Sequence, residues 1–174
     1  KYKILVVDDS KFNRMVITSM LEKDYFLEEA CDGKQAMLIL EDHAEEFSLI
    51  LLDIVMPNMD GFQLLNAMKN RGWLDILPVI MISSRENIET AYRLGASDIL
   101  QRPYDEKIVH HRIDNLISLF SRQREISNAL VNEVIQENET SSAMVSVLSH
   151  IVETRNGESG SHVQNIRTIT RMLL

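Results

Sequence analysis

Up to Asp105 the chain alternates short apolar runs with amphipathic stretches. That pattern suits strands joined by crossover helices and little else. Strands are predicted at Lys3–Val7, Phe26–Ala30, Leu49–Asp53, Val79–Ser83 and Asp98–Gln101. Helices are predicted near Lys11–Lys23, Lys34–His43, Gly61–Asn70 and Glu86–Leu94. The first, third and fourth runs are almost wholly apolar, as strands covered on both faces must be; the second and fifth are more polar and suit flanking positions. In the first helix Phe12, Val16, Met20 and Leu21 form the face expected to pack on the sheet. Gly95 is positioned to close the fourth helix.

Five strands with their crossover helices fit an α/β domain with a flavodoxin-like parallel sheet, (βα)5 in plan, assigned to residues 1–120. After Pro103 the pattern changes. From Glu106 to Asn138 there is no Gly or Pro, and Ile113, Leu116, Leu119, Ile126 and Leu130 recur at approximately helical spacing, with Gln123 interrupting them. Residues 106–138 are expected to prolong the last helix into a linker. A parallel coiled coil joining two copies is favoured over a lone surface helix, because the stripe outruns what a small domain can cover. From Glu139 a short helical tail is expected, in which Met144, Val147, Leu148, Ile151 and Val152 share a face ended by Asn156-Gly157. A further helix after Gly160 would carry Val163, Ile166 and Ile169. These pieces are too short to bury a core alone.

Length and charge set outer limits. The 174 residues suffice for one domain and part of another. The missing initiator Met and the ending in Met172-Leu173-Leu174 are expected of a piece cut from a longer protein. A net charge of −8 argues against a nucleic-acid partner, because phosphate backbones select clustered Lys and Arg. It is compatible with a divalent cation or with plain solubility. The run Leu49–Leu52 is far short of the ~20 residues that cross a bilayer, and Lys1–Val7 reads as a strand rather than a signal peptide, so no membrane association is expected. Cys31, alone in the chain, cannot form an internal disulfide, and a cytoplasmic location is the natural expectation.

Three carboxylates fall where parallel sheets build their sites, beyond the carboxyl ends of the strands. Asp8 and Asp9 follow the first strand and Asp53 ends the third. Brought together they would repel unless a cation joined them, and Mg²⁺ is the hard, oxygen-seeking candidate. Two acids could then hold metal while an oxygen attacks phosphorus. Each has a duller explanation alone, since Asp9 or Ser10 could simply cap the first helix. Ser83 after the fourth strand and Arg102 after the fifth would add a hydroxyl and a cation for phosphoryl oxygens.

The segments Ile4-Leu5-Val6-Val7-Asp8-Asp9, Leu51–Gly61, Pro78–Ser83 and Gly95-Ala96-Ser97-Asp98 resemble the receiver domain of bacterial two-component response regulators. The resemblance implies that Asp53 accepts phosphate from a histidine kinase. It implies that Asp9, Asp53 and the Val55 backbone carbonyl bind Mg²⁺ directly, with Asp8 assisting through water. Pro57 and Gly61 would shape the turn beside the site, and the Arg102–Pro103 bond is expected to be cis. Two positions depart from the family. Arg102 stands where Lys is usual, an exchange that keeps charge but alters length and planarity. Ile99 stands at the switch position where an aromatic residue is usual, and is expected to be core.

The stretch Leu148–His162 resembles the opening of the HD-GYP phosphohydrolases, with Glu158 and His162 in a Glu-x-x-x-His arrangement. Asn156 and Asn165 depart from the Asp and Arg usual there. The resemblance implies that 139–174 begin a helical domain whose Glu158 and His162 help hold Fe- or Mn-type divalent metals for hydrolysis of cyclic di-GMP. The other ligands would lie beyond Leu174. The leading function is a phosphorylation-controlled switch for that phosphodiesterase; the alternative is a degenerate receiver serving mainly as a dimerisation module, which Arg102 and Ile99 keep open. A phosphoaspartate hydrolase cycle is disfavoured because Val55 occupies the place of its second acid. Adjacent His110 and His111 cannot face one ligand from a helix and are read as surface or interface residues.

Overall fold

The computed structural model describes residues 1–83 and 87–156. Five strands, β1 (Lys3–Val7), β2 (Phe26–Ala30), β3 (Leu49–Asp53), β4 (Val79–Ser83) and β5 (Asp98–Gln101), carry between them the helices α1 (Lys11–Leu21), α2 (Gly33–His43), α3 (Gly61–Asn70) and α4 (Ile88–Leu94). A fifth helix, α5, spans Glu106–Asn156. All strand pairs are parallel, in the order β2-β1-β3-β4-β5. The polar strands β2 and β5 lie at the edges and the apolar ones in the middle, as their composition requires. The order reverses between β1 and β3, and their register sets Val7 beside Leu52. Asp8 and Asp53 therefore emerge side by side at the switch point.

Alternate residues of each strand feed two cores. Leu5, Val7, Ile50, Leu52, Met81 and Ile99 face α2, α3 and α4, meeting Leu40, Leu64, Leu65, Met68 and Ala91. Ile4, Val6, Leu49, Leu51, Ile80, Ile82 and Leu100 face α1 and the start of α5, meeting Ile17, Leu21, Val109, Ile113 and Ile117. Ile99 is thus core, as expected. Gly95 closes α4 with φ of +108°, a conformation glycine adopts without strain.

The inward face of α1 differs from expectation. Phe12 is 73% exposed, while Ile17 and Leu21 are buried. The phase is set at the helix start, where Ser10 caps α1 and Asn13 turns inward to Asp8. Asn13, Ile17 and Leu21 then share a face at i, i+4 and i+8, and Phe12 sits about 100° away.

Helix α5 is unbroken across Glu139, where a separate segment was expected. No Gly or Pro occurs between Glu106 and Asn156, so the polar run Glu139–Ser142 has nothing to stop the helix. The first compact unit is Lys1–Arg124 and the second begins at Glu125. In the second, Ile126, Leu130, Val131 and Ile135 are exposed. Among the described residues, no helix is long and apolar enough to cross a membrane.

Candidate functional site

The site begins with Asp8, whose side chain is fully buried where β1 ends. A carboxylate out of water must be met by donors. Asp8 Oδ1 accepts from the Ser10 backbone N–H at 2.8 Å and from Asn13 Nδ2 at 3.1 Å. Its Oδ2 accepts from Asn13 Nδ2 at 3.1 Å and from Arg102 Nη2 at 2.6 Å. Ser10 Oγ in turn accepts the Asn13 backbone N–H at 3.4 Å. Arg14 donates to the carbonyls of Asp8 at 2.7 Å and Asp9 at 3.4 Å, and its Nε is held by Glu29 of β2 at 2.7 Å. Asn13 and Arg14 escape a strand-end reading of the sequence. The available signal was their place in the first turn of a helix that follows a buried acid.

Asp53 ends β3 with 5% of its surface exposed. Its Oδ2 accepts the Val55 backbone N–H at 3.2 Å, and its Oδ1 accepts from Arg102 Nη2 at 2.9 Å. Burial pushes the Asp53 carboxyl up to about 6; the Asp8 charge adds to the rise, and Arg102 offsets only part of it. The pocket therefore holds more negative charge than one guanidinium compensates. Asp9, on the exposed side, completes the cluster: one oxygen from each of Asp8, Asp9 and Asp53 lies within 4.8 Å of the others. An all-oxygen, carboxylate-rich and under-neutralised set fits Mg²⁺. Among the described residues no other group of three potential ligands comes together.

The β3–α3 loop is pinned beside these acids. The Gly61 N–H donates to the Ile54 carbonyl at 2.9 Å, and the Met59 N–H to the Pro57 carbonyl at 2.7 Å. Asn58, with φ of 65°, donates from Nδ2 to Asp32 at 2.8 Å. A Cβ on Gly61 would lie 2.2 Å from the Asp53 carbonyl oxygen, so only glycine lets α3 start this close to β3. Asp60 and Gln63 cap α3 reciprocally. The Val55 side chain points to solvent and is 75% exposed.

Opposite the acids stand the residues of β4 and β5. Ser83 is buried and follows Ile82, the register partner of Asp53. Arg102 follows β5, and its bond to Pro103 is cis. Its Nη2 spans Asp8 and Asp53, while its Nε donates to the Tyr104 hydroxyl at 2.9 Å. The structure thus joins Asp8, Asp53 and Arg102 directly and sets Asp9 beside them. Glu158 and His162 lie outside the described residues.

Residues 4–114 match the model of the response regulator receiver domain. A curated relative from Vibrio cholerae, a probable cyclic di-GMP phosphodiesterase, is 29% identical over 98% of this chain. The chain spans only 40% of that protein's length. A protein-glutamate methylesterase/protein-glutamine glutaminase from Halalkalibacterium halodurans is 40% identical over 59% of this chain, which spans 31% of it. Among solved structures, the chemotaxis protein CheY4 of Vibrio cholerae is 26% identical with a TM-score of 0.59, covering 66% of this chain and 98% of its own.

Proposed function

This chain belongs to the response regulator receiver domain family, whose role is phosphorylation-driven control, and from that premise we propose that Asp53 is its phosphoacceptor. Receiver domains take their phosphate from histidine kinases and bind Mg²⁺ in an acidic pocket of this kind. The observation that carries the assignment is the shared cluster of Asp8, Asp9 and Asp53 oxygens, with Asp53 at the strand end. An Asp53 oxygen forms the new O–P bond as the N–P bond of a phosphohistidine breaks, and the released imidazole takes up a proton. Asp9, Asp53 and the Val55 carbonyl would hold Mg²⁺, with Asp8 acting through water. The ion, when bound, neutralises the acids and draws the phosphoryl oxygens inward. Arg102 and the Ser83 hydroxyl then receive those oxygens.

Incubation with Mg²⁺ and acetyl phosphate tests this. The expected result is one phosphoryl group per chain by intact mass, absent in Asp53→Asn. Undiminished labelling of Asp53→Asn would sink the assignment. A degenerate receiver that only dimerises is the second reading, favoured by the two ion pairs with which Arg102 already occupies Asp8 and Asp53. Complete failure of the wild-type chain to label would select it.

The output we propose is an HD-GYP-type cyclic di-GMP phosphodiesterase, supported by the near-complete coverage of this chain by the Vibrio cholerae relative. Glu158 and His162 would contribute to a Fe- or Mn-type metal centre completed elsewhere, so residues 1–174 alone are expected not to hydrolyse cyclic di-GMP. The partner set we propose is a histidine kinase and a second copy of this chain along α5, in the cytoplasm, with neither nucleic acid nor membrane.

A further inference from the structure

Arg102 has an anchor that neither the family role nor the acid cluster requires. Its side chain is 41% exposed, and a long solvated arginine loses considerable rotamer freedom when fixed on two carboxylates. The guanidinium is a rigid plane, so fixing one nitrogen aims the others. Tyr104 fixes Nε through its hydroxyl at 2.9 Å, while Nη2 reaches Asp8 at 2.6 Å and Asp53 at 2.9 Å. The Tyr104 ring is itself held, packed against the core that includes Ile82, Leu100 and Val109. Its hydroxyl is thus a fixed post and not a second mobile group.

We propose that Tyr104 is the positioning residue for Arg102: its hydroxyl holds the guanidinium across Asp8 and Asp53 as a built-in counter-cation, which a divalent ion entering the site must displace or share. The pair also accounts for arginine at this position, because a lysine ammonium has no Nε and no planar edge to be anchored. Occupying the acids in this way raises the Mg²⁺ concentration at which the site fills, and that threshold is set from outside the acid cluster. This inference rests on the receiver reading of the same site.

The test is a double-substitution cycle read by calorimetric Mg²⁺ titration of the full chain. Tyr104→Phe keeps the ring and removes the hydroxyl; it is expected to bind Mg²⁺ roughly three- to tenfold more tightly, the loosening that one lost hydrogen bond supplies. Arg102→Ala is expected to bind more tightly still. In the Arg102→Ala or Arg102→Lys background, Tyr104→Phe is expected to change nothing, because the donor it served is gone. A Tyr104→Phe protein with wild-type Mg²⁺ affinity, or with the same gain in every background, overturns the proposal. Thermal melts of each variant identify a folding defect, and a destabilised Tyr104→Phe with an unchanged Mg²⁺ affinity also counts against it. Acetyl phosphate labelling of the wild type separates the two levels. No labelling removes the receiver reading, whereas labelling without coupling between Tyr104 and Arg102 removes only this inference.

Discussion

At the residue scale the acidic pocket stores unfavourable charge. Burial raises the Asp53 carboxyl from 3.8 to about 6, so its ionised form is better tolerated in the unfolded chain. An acid shifted upward costs the fold stability as pH rises from its unfolded toward its folded value, and the full cost is present above that. Asp53→Asn is therefore expected to stabilise the metal-free protein at pH 7 by about 3 kcal/mol, and by little at pH 4. Denaturant melts at the two pH values check this, and equal effects at both would refute the charge argument. The same shift makes protons compete with Mg²⁺: one pH unit below 6, affinity is expected to fall about tenfold relative to pH 7.5, as calorimetry at both pH values would read. Asp8, Asp9 and Asp53 were legible because strand ends in a parallel sheet gather at one edge. Asn13, Arg14 and Tyr104 were not, since each acts through a hydrogen bond to another functional group and has no periodicity or motif of its own.

At the scale of elements, the five strands were legible to the residue because buried parallel strands must be apolar and their ends carry the change of polarity. Helix faces were less so. The apolar residues of α1 fit two overlapping stripes, and the choice between them was made by Asn13 bonding to Asp8. The continuity of α5 through Glu139 was missed because the polar run Glu139–Ser142 was read as a break, although it contains neither a glycine nor a proline. Packing makes sharper demands than pattern at two further points. Ile113 of α5 is fully buried against the sheet, and Ile113→Ala is expected to cost about 2–5 kcal/mol in urea melts. Gly61→Ala would force a methyl to within 2.2 Å of the Asp53 carbonyl oxygen, displacing β3 or α3. It is expected to lose about 1–3 kcal/mol of stability and to weaken Mg²⁺ binding. Gly72→Ala, whose added methyl would come no closer than 3.9 Å to Asp75 Oδ2 at a φ of +71°, is the control: about 1–2 kcal/mol of backbone strain, with Mg²⁺ binding intact.

At the scale of the molecule, the first compact unit closes at Arg124 and contains both cores and the whole acid site. A chain ending at Arg124 is expected to fold, to bind Mg²⁺ as the full chain does, and to sediment as a monomer. The full chain is expected to sediment as a dimer, and Leu130→Asp to return it to monomer without moving the melting of the first unit. Monomeric sedimentation of the full chain at tens of micromolar would remove the coiled coil. The bond from Arg102 to Asp8 joins residues 94 apart in sequence. During synthesis, when the amino-terminal end emerges first, the buried acid of β1 waits for nearly the entire unit before its counter-charge leaves the ribosome. The pocket that receives the signal is thus among the last parts of the unit to be completed, and a nascent chain stalled before β5 has the acids without the cation that balances them.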